Sequence, residues 1–479
     1  MISMKMYIDG NWVDSVSGET FTTHNPANGT ALGTVPKANE ADIDVAVKAA
    51  RAAFPAWSKL KQAERTTYCN KIAAVIRENA KELAELESQE HGTPISDAFG
   101  VCMGAAAKFE NAGDIAQALM GVQVPMQSGM LSYFQREPMG VCALIIPWNL
   151  PVMMMAVKIS ACIAVGNTCI IKPPSINSLS GLKFAEILSK AGLPNGVVNF
   201  VTGPGGSVGK ALATHRDVDL IGFTGSSETG KEVLGYAAQT VKKCVMELGG
   251  NNPVIIMEDA DLDECLKILG RRQYNNCGQH CSGPGRYYVH EKVYDTFLKK
   301  FKAFAENVKV GDPSGKDTYM GPVVSKSHQT KVEGYVEGAI NEGATLYYRQ
   351  EKSEYHKGGS FVMPTIVSDV THTMTIAREE VFGPVAVVIK YTDDDDIVAL
   401  ANDSEYGLCA HLWTNDIKKA LRMVDDLRVG SVFINTQTLT DEQSWGTSTK
   451  ESGLGKEGGL LGMQEFTDMK MVTVDFNIG

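Results

Sequence analysis

The sequence predicts an α/β protein: a doubly wound parallel sheet of the dinucleotide-binding type, a second α/β domain, and a small β element for oligomerisation. Three observations carry this. From residue 141 short apolar runs alternate with helix-like stretches at roughly 25-residue spacing, as parallel strands with crossover helices require. After Gly249-Gly250 the same kind of pattern starts again, and near the C-terminus a strictly alternating segment stands apart from both.

Taken in order, residues 40–92 read as two helices. Ile43, Val47, Ala50 and Phe54 share one face, Tyr68, Ile72, Val75, Ile76, Leu83 and Leu86 another, and Gly92 is the stop. The runs Val141–Ile146, Thr168–Ile171, Val197–Val201, Leu220–Phe223 and Val241–Met246 are continuously apolar, as strands buried on both faces are. The second pattern has strands at Val254–Met257 and Tyr287–His290, with helices from about Leu262 and Val293. Met469–Phe476 alternates and suits an edge strand that pairs with another subunit. The expected boundaries are 1–120 with 140–249 for the dinucleotide-binding domain, 250–450 for the second, and 121–139 with 451–479 for the oligomerisation element, giving a homodimer or homotetramer.

At 479 residues each domain is long enough to bury its own core. A formal charge of −11 argues against a nucleic-acid partner, because no broad cationic surface is available for a phosphate backbone. No apolar run approaches the ~18–20 residues that span a bilayer, so no membrane partner is expected. The N-terminus lacks an apolar core with a cleavage site. The expected location is cytoplasmic, with most of the ten cysteines as buried, reduced thiols. Cys277, His280 and Cys281 are close, but no second Cys-x-x-Cys or His pair completes a metal site, and no metal is expected.

The glycine-rich segments Gly203-Pro-Gly-Gly-Ser-Val-Gly209 and Phe223-Thr-Gly-Ser-Ser-Glu-Thr-Gly230 each follow a strand. Either brings backbone N–H groups near a pyrophosphate or simply turns the chain. More specific are Tyr274-Asn-Asn-Cys-Gly-Gln-His-Cys281-Ser-Gly-Pro-Gly-Arg286, Met246-Glu247-Leu-Gly-Gly250 and Ile146-Pro-Trp-Asn149-Leu-Pro151. In order along the chain, with Ile171-Lys172-Pro173, Phe223-Thr-Gly-Ser226, Glu380-Val-Phe-Gly-Pro384 and Ser452-Gly-x-Gly455, they resemble the aldehyde dehydrogenase superfamily, of the non-phosphorylating, hydrolytic type.

The resemblance implies NAD(P)-dependent oxidation of an aldehyde to a carboxylic acid, the 250–450 domain being catalytic. It makes Cys281 the nucleophile, because a thiolate adds readily to an aldehyde and leaves a thioester that still hydrolyses. It makes the Asn149 amide and the Cys281 N–H the donors to the oxyanion. Glu247, 34 residues before Cys281, becomes the base that activates water. Glu457 matches a second carboxylate that helps relay protons, although a solvated charge explains it almost as well.

For the cofactor, NADP or NAD, the resemblance implies contacts from Trp148, Lys172, Ser175, Gly205, Gly209, Phe223, Gly225, Ser226, Gly230, Leu248, Glu380 and Phe382. Lys172 would hold the adenosine ribose, Glu380 the nicotinamide ribose, and Phe382 would pack beside the nicotinamide. Two departures from the family pattern bear on specificity. Ser175 stands where many relatives carry Glu, which removes a charge that repels a 2′-phosphate. The pocket residues Leu150, Met153, Met154, Val157, Asn275, His280 and Ser282, with Thr440, Asp441, Glu442 and Trp445-Gly446-Thr447 further on, suit a small or polar aldehyde. The rival readings are a CoA-acylating aldehyde dehydrogenase, against which Glu247 argues, and a non-catalytic binding protein with the same fold.

Overall fold

The computed structural model describes residues 1–437 and 446–477. Its first sheet has eight strands among the described residues. The centre is parallel, in the order Lys243–Glu247, Leu220–Thr224, Val141–Ile145, Thr168–Lys172, Val198–Phe200. Met6–Ile8 and Asn11–Val13 extend one edge, and Gly453–Leu454 pairs antiparallel with Lys243–Glu247 at the other. Chain order reverses between Val141–Ile145 and Leu220–Thr224, which leaves a crevice beyond the carboxyl ends of those strands.

Both faces of this sheet are covered, which is why its strands read as unbroken apolar runs. Cys142, Leu144, Cys169 and Ile171 enter one core with the helices Gln62–Glu78, Ile95–Ile115, Pro151–Ala164 and Ser178–Ser189. Val141, Ala143, Ile145 and Ile170, one residue out of phase, enter the other with Glu40–Trp57 and Ser227–Ala237.

The second sheet has seven strands, in the order Thr345–Arg349, Thr365–Ser368, Val385–Tyr391, Pro284–His290, Asn252–Ile256, Cys409–Trp413, Ser431–Ile434. All run parallel except Thr345–Arg349 at the edge. Glu247 ends the first sheet and Asn252 begins the second, so the carboxyl ends of one meet the amino ends of the other. Thr467–Asp475, Met130–Pro138 and Val122–Val124 form a separate antiparallel sheet, with the middle strand paired along its whole length to the first. Among the described residues no helix is long and apolar enough to cross a membrane.

Two local expectations need correction. Residues 40–92 form three helices, Glu40–Trp57, Gln62–Glu78 and Ala80–His91. The second break is at Asn79, whose side-chain amide donates to the Val75 carbonyl at 2.7 Å and competes with the helical backbone there. Gly92 does end the last of them, with φ +92°. The strand expected from Val241 starts at Lys243, because Val241 is exposed and left-handed at φ +53°.

Candidate active site

Cys281 lies on the loop between the helix Leu262–Tyr274 and the strand Pro284–His290. The loop is wound backwards: Asn276, Cys277 and Gly278 have φ of +50°, +57° and +67°. A conformation this unfavourable for two L-residues persists only where the surroundings over-determine it. Here the Asn276 amide donates to the Asn149 carbonyl at 2.9 Å, and Cys277 donates through sulfur to the Gly321 and Pro322 carbonyls. At Gly278 a Cβ would stand 2.3 Å from the Gly383 carbonyl oxygen. Beyond Cys281, the Asn252 amide donates to the Cys281 and Gly283 carbonyls, both at 2.7 Å.

Asn149 stands just beyond the strand Val141–Ile145, buried, and its amide donates to the Gln279 carbonyl at 3.0 Å. The first sheet therefore delivers an amide against the backbone two residues before Cys281. The Glu247-Leu-Gly-Gly250 segment leaves the same sheet and passes over the same loop. Gly250 is needed there because a Cβ would sit 2.8 Å from the Cys281 carbonyl oxygen, and Gly249 because one would meet a Glu380 carboxylate oxygen at 2.7 Å.

The electrostatics divide the labour. Lys158 and Glu457 form a buried ion pair. Glu247 is also buried, its Oε1 has no hydrogen-bond partner, and burial together with the Glu457 charge pushes its carboxyl well above the usual range. Burial, then Glu247 and Glu380, push the Cys281 thiol up to about 12, against the pull of Arg272 and the Ser282 N–H. Burial thus favours the protonated form of the Cys281 thiol, and the Glu247 carboxyl, itself raised, stands within electrostatic reach of it.

On the cofactor side, Lys172 is buried, brought down to about 8 by burial, and donates only to the Pro173 carbonyl at 3.0 Å. Its remaining N–H groups have no partner among the described residues. Ser175 donates to the Gly203 carbonyl at 2.8 Å, and Gly205 opens the turn that ends at Gly209, with nothing within 4 Å of its missing side chain. Close packing explains the other glycines. A Cβ at Gly225 would strike the Phe223 ring at 2.5 Å, and one at Gly230 would strike Leu248 at 2.4 Å. Ser226 caps the helix Ser227–Ala237, aiming that N-terminus at the crevice. Glu380 accepts from the Gly250 N–H at 3.1 Å and is raised to about 7 by burial. Phe382, left-handed at φ +55°, meets Trp148 edge-on at 5.3 Å, with its carbonyl facing a His328 ring nitrogen at 2.8 Å. An open glycine turn, a helix N-terminus, an under-used lysine and a carboxylate with one backbone donor fit a dinucleotide.

The expected pocket residues are less uniform. Leu150 and Met153 are half-buried, Met153 against Gly104, and Val157 is buried. Met154 is buried in the apolar core over the first sheet, against which Leu150 also packs. Asn275 is tied to Asp97 at 2.6 Å and to a His280 ring nitrogen at 3.3 Å, and the Ser282 hydroxyl accepts from Arg272 at 2.8 Å. Thr440, Asp441, Glu442 and Trp445 lie outside the described residues. Gly446 is described and leans on the base, since a Cβ there would stand 2.4 Å from Glu247 Oε1.

Comparison with known proteins decides the family. The model of the aldehyde dehydrogenase family matches residues 12–472. The chain belongs to the aldehyde dehydrogenase family. It is 40% identical over 474 residues to a mitochondrial aldehyde dehydrogenase of Leishmania tarentolae, covering 98% of this chain and 95% of that one. It is 37% identical to the cytosolic 10-formyltetrahydrofolate dehydrogenase of Xenopus tropicalis, of which it spans 54% and which covers 99% of this chain. Among solved structures, the NAD+ complex of aldehyde dehydrogenase from Bacillus cereus superposes with a TM-score of 0.95 at 39% identity, covering 99% of this chain and 97% of that one. An aldehyde as substrate, oxidation as reaction and NAD or NADP as cofactor come with that membership.

Three site residues escaped the sequence reading. Lys158 had a legible signal: it is the one charge in the apolar helix Pro151–Ala164, where an unpaired ammonium is costly. Asn252 and Arg272 had none, because they act on Cys281 and Ser282 through contacts distant in sequence.

Proposed function

We propose that this protein oxidises aldehydes to free carboxylic acids through a thioester on Cys281 that water then hydrolyses. The observation that carries the reading is the trio of buried carboxylates and amine near the thiol: Glu457 is held by Lys158, so Glu247 is the carboxyl whose proton affinity is raised, which makes its ionised form the stronger base, and one of its oxygens is unpartnered. A carboxylate at its ordinary value is too weak a base for a thiol or for water; one raised by burial is better matched. Glu247 takes the Cys281 proton as sulfur bonds to the aldehyde carbon, and the Asn149 amide with the Cys281 N–H stabilises the oxyanion. Bound through Lys172, Glu380 and the glycine turns, the dinucleotide supplies the hydride acceptor. Having released the thiol proton to solvent, Glu247 removes a proton from water as it attacks the thioester, the C–S bond breaks with sulfur leaving as the thiolate, and the acid departs. Purified protein with NAD(P) and an aldehyde should release free acid whether or not CoA is added. Acyl-CoA as the main product would move it to the acylating branch.

The pocket, with Leu150, Met153 and Val157 on one side and Asn275, His280 and Ser282 on the other, supports a small or polar aldehyde. At the cofactor, the Ser175 hydroxyl is engaged by Gly203 and no carboxylate stands at that position to repel a 2′-phosphate, which supports use of NADP at least comparably with NAD. Ser175→Glu should lower kcat/KM for NADP by about tenfold or more while affecting NAD far less. Equal effects on the two would show that another position sets the choice.

Self-association is the reading for the three-stranded sheet. Its outer strands, Thr467–Asp475 and Val122–Val124, leave their far edges unpaired in the single chain, and Met469, Met471 and Val122 are exposed on it. Open edges with apolar side chains invite a second copy. Light scattering should report a dimer or tetramer; an active monomer of 51.7 kDa would refute this. Ten unpaired thiols suit a reducing compartment, consistent with the cytoplasm.

A further inference from the structure

Beside the nucleophile lies a buried positive charge that the reaction as described does not use. Arg272, near the end of the helix Leu262–Tyr274, gives one N–H to the Ser282 hydroxyl at 2.8 Å, and its Nε is buried with no partner. No ion pair to Arg272 occurs among the described residues. Asp97, on the helix Ile95–Ile115, is bonded to the Asn275 amide and feels the charge of Arg271. His280 and His411, packed around the same guanidinium, are both pushed down by burial and by its charge, so they add no compensation. An arginine cannot shed its proton to relieve this, and an uncompensated buried charge is costly. Arg272, Asn275, Cys281 and Ser282 are each only partly buried, and the Arg272 hydrogen bond to Ser282 places the guanidinium beside the residue that follows Cys281.

We propose that Arg272 receives a carboxylate on the substrate, making the preferred substrates of Cys281 short aldehydes that carry an acid group at their far end. This rests on the reading of Cys281 as the nucleophile and narrows its substrate from polar to anionic. A guanidinium with a free Nε and remaining Nη hydrogens offers a carboxylate the fork it binds best. The aldehyde carbon is then held over sulfur by its opposite end, which makes addition a positioned reaction.

The first test needs no variant. With aldehydes of graded length bearing a terminal carboxylate, kcat/KM should exceed that for the matching methyl esters by at least tenfold at the best length. In Arg272→Met that ratio should fall at least tenfold, and Arg272→Lys should keep part of it. A wild-type ratio near one overturns the proposal. So does an equal loss on acid and ester in Arg272→Met, since that would mean the arginine serves only the thiol. A chemical probe separates this inference from dehydrogenase activity. Iodoacetate and iodoacetamide both alkylate a thiolate with loss of iodide, and site-resolved mass spectrometry reads Cys281 alone. The anionic reagent should be favoured at Cys281, relative to a free small thiol, by at least tenfold in wild type and not in Arg272→Met. Charge selectivity in alkylation without aldehyde oxidation would leave Arg272 as an anion site and remove the proposed function. Oxidation without charge selectivity in either assay would do the reverse.

Discussion

Cys281→Ala is expected to abolish aldehyde oxidation, with kcat lowered by a factor on the order of 10⁴–10⁶, while NAD(P) still binds. The loss is total because no other group can take over the bond to carbon. Cys277 is adjacent in sequence, but its sulfur points at the Gly321 and Pro322 carbonyls. Cys409 is buried behind the loop, with its sulfur near the Ser282 carbonyl at 3.7 Å and a His411 ring nitrogen at 3.8 Å. Cofactor binding should survive because Lys172, the glycine turns and Glu380 hang from other elements, and the mutation removes one sulfur from a loop held by Asn252, Asn276 and Gln279. Titrating the cofactor by fluorescence and assaying several aldehydes checks both halves. Turnover above a trace would place the nucleophile elsewhere.

Glu247→Gln is expected to cut steady-state turnover by about 10²–10³ while a first burst of reduced cofactor remains. Two proton transfers fall to Glu247. The first, from the thiol, can be met by solvent base at elevated pH, because Cys281 is only partly buried. The second must activate a water molecule at the moment it attacks the thioester, and there the positioned carboxylate has no substitute. The neighbouring Lys158–Glu457 pair, in which Glu457 Oε1 is held by the Lys158 ammonium, should stay in place in the variant, so the effect reads Glu247 itself. Stopped-flow should show the burst, slower at neutral pH and recovering as the pH rises, followed by a much slower steady state. Burst and steady state falling in equal proportion would give Glu247 a different task.

The sheets were legible because burial on both faces leaves a signature in composition. Val141–Ile145, Thr168–Lys172 and Leu220–Thr224 are apolar almost without interruption, and helices between them follow from the need to cross over. Local competition was not legible. Nothing in the periodicity of residues 62–91 marks Asn79 as a break, because the apolar face continues across it. Nor does a β-branched residue at 241 signal that the strand starts two residues later. At the site, Cys281, Glu247 and Asn149 were legible through the resemblance of their segments to the family, and packing gives the glycines of those segments a reason: side chains at Gly249 and Gly250 would meet Glu380 and the Cys281 carbonyl, and one at Gly278 would meet Gly383. The pocket was harder to read because helical spacing turns Met153 and Met154 to different directions without saying which meets solvent: Met153 stays half-buried, whereas Met154 is buried in the core. Arg272 was invisible for a related reason: a charged residue one turn from a helix end reads as a solvated cap, not as a buried guanidinium beside a thiol.

The central claim is a covalent acyl group on one sulfur, and mass spectrometry of the Glu247→Gln protein addresses it most directly. After mixing with an aldehyde and NAD(P) and quenching in acid within the burst, the peptide containing Cys281 should carry the mass of the acyl group in near-stoichiometric yield, and hydroxylamine should remove it as a thioester requires. An unmodified Cys281 peptide while reduced cofactor accumulates, or the acyl group on any of the other nine cysteines, would contradict the account.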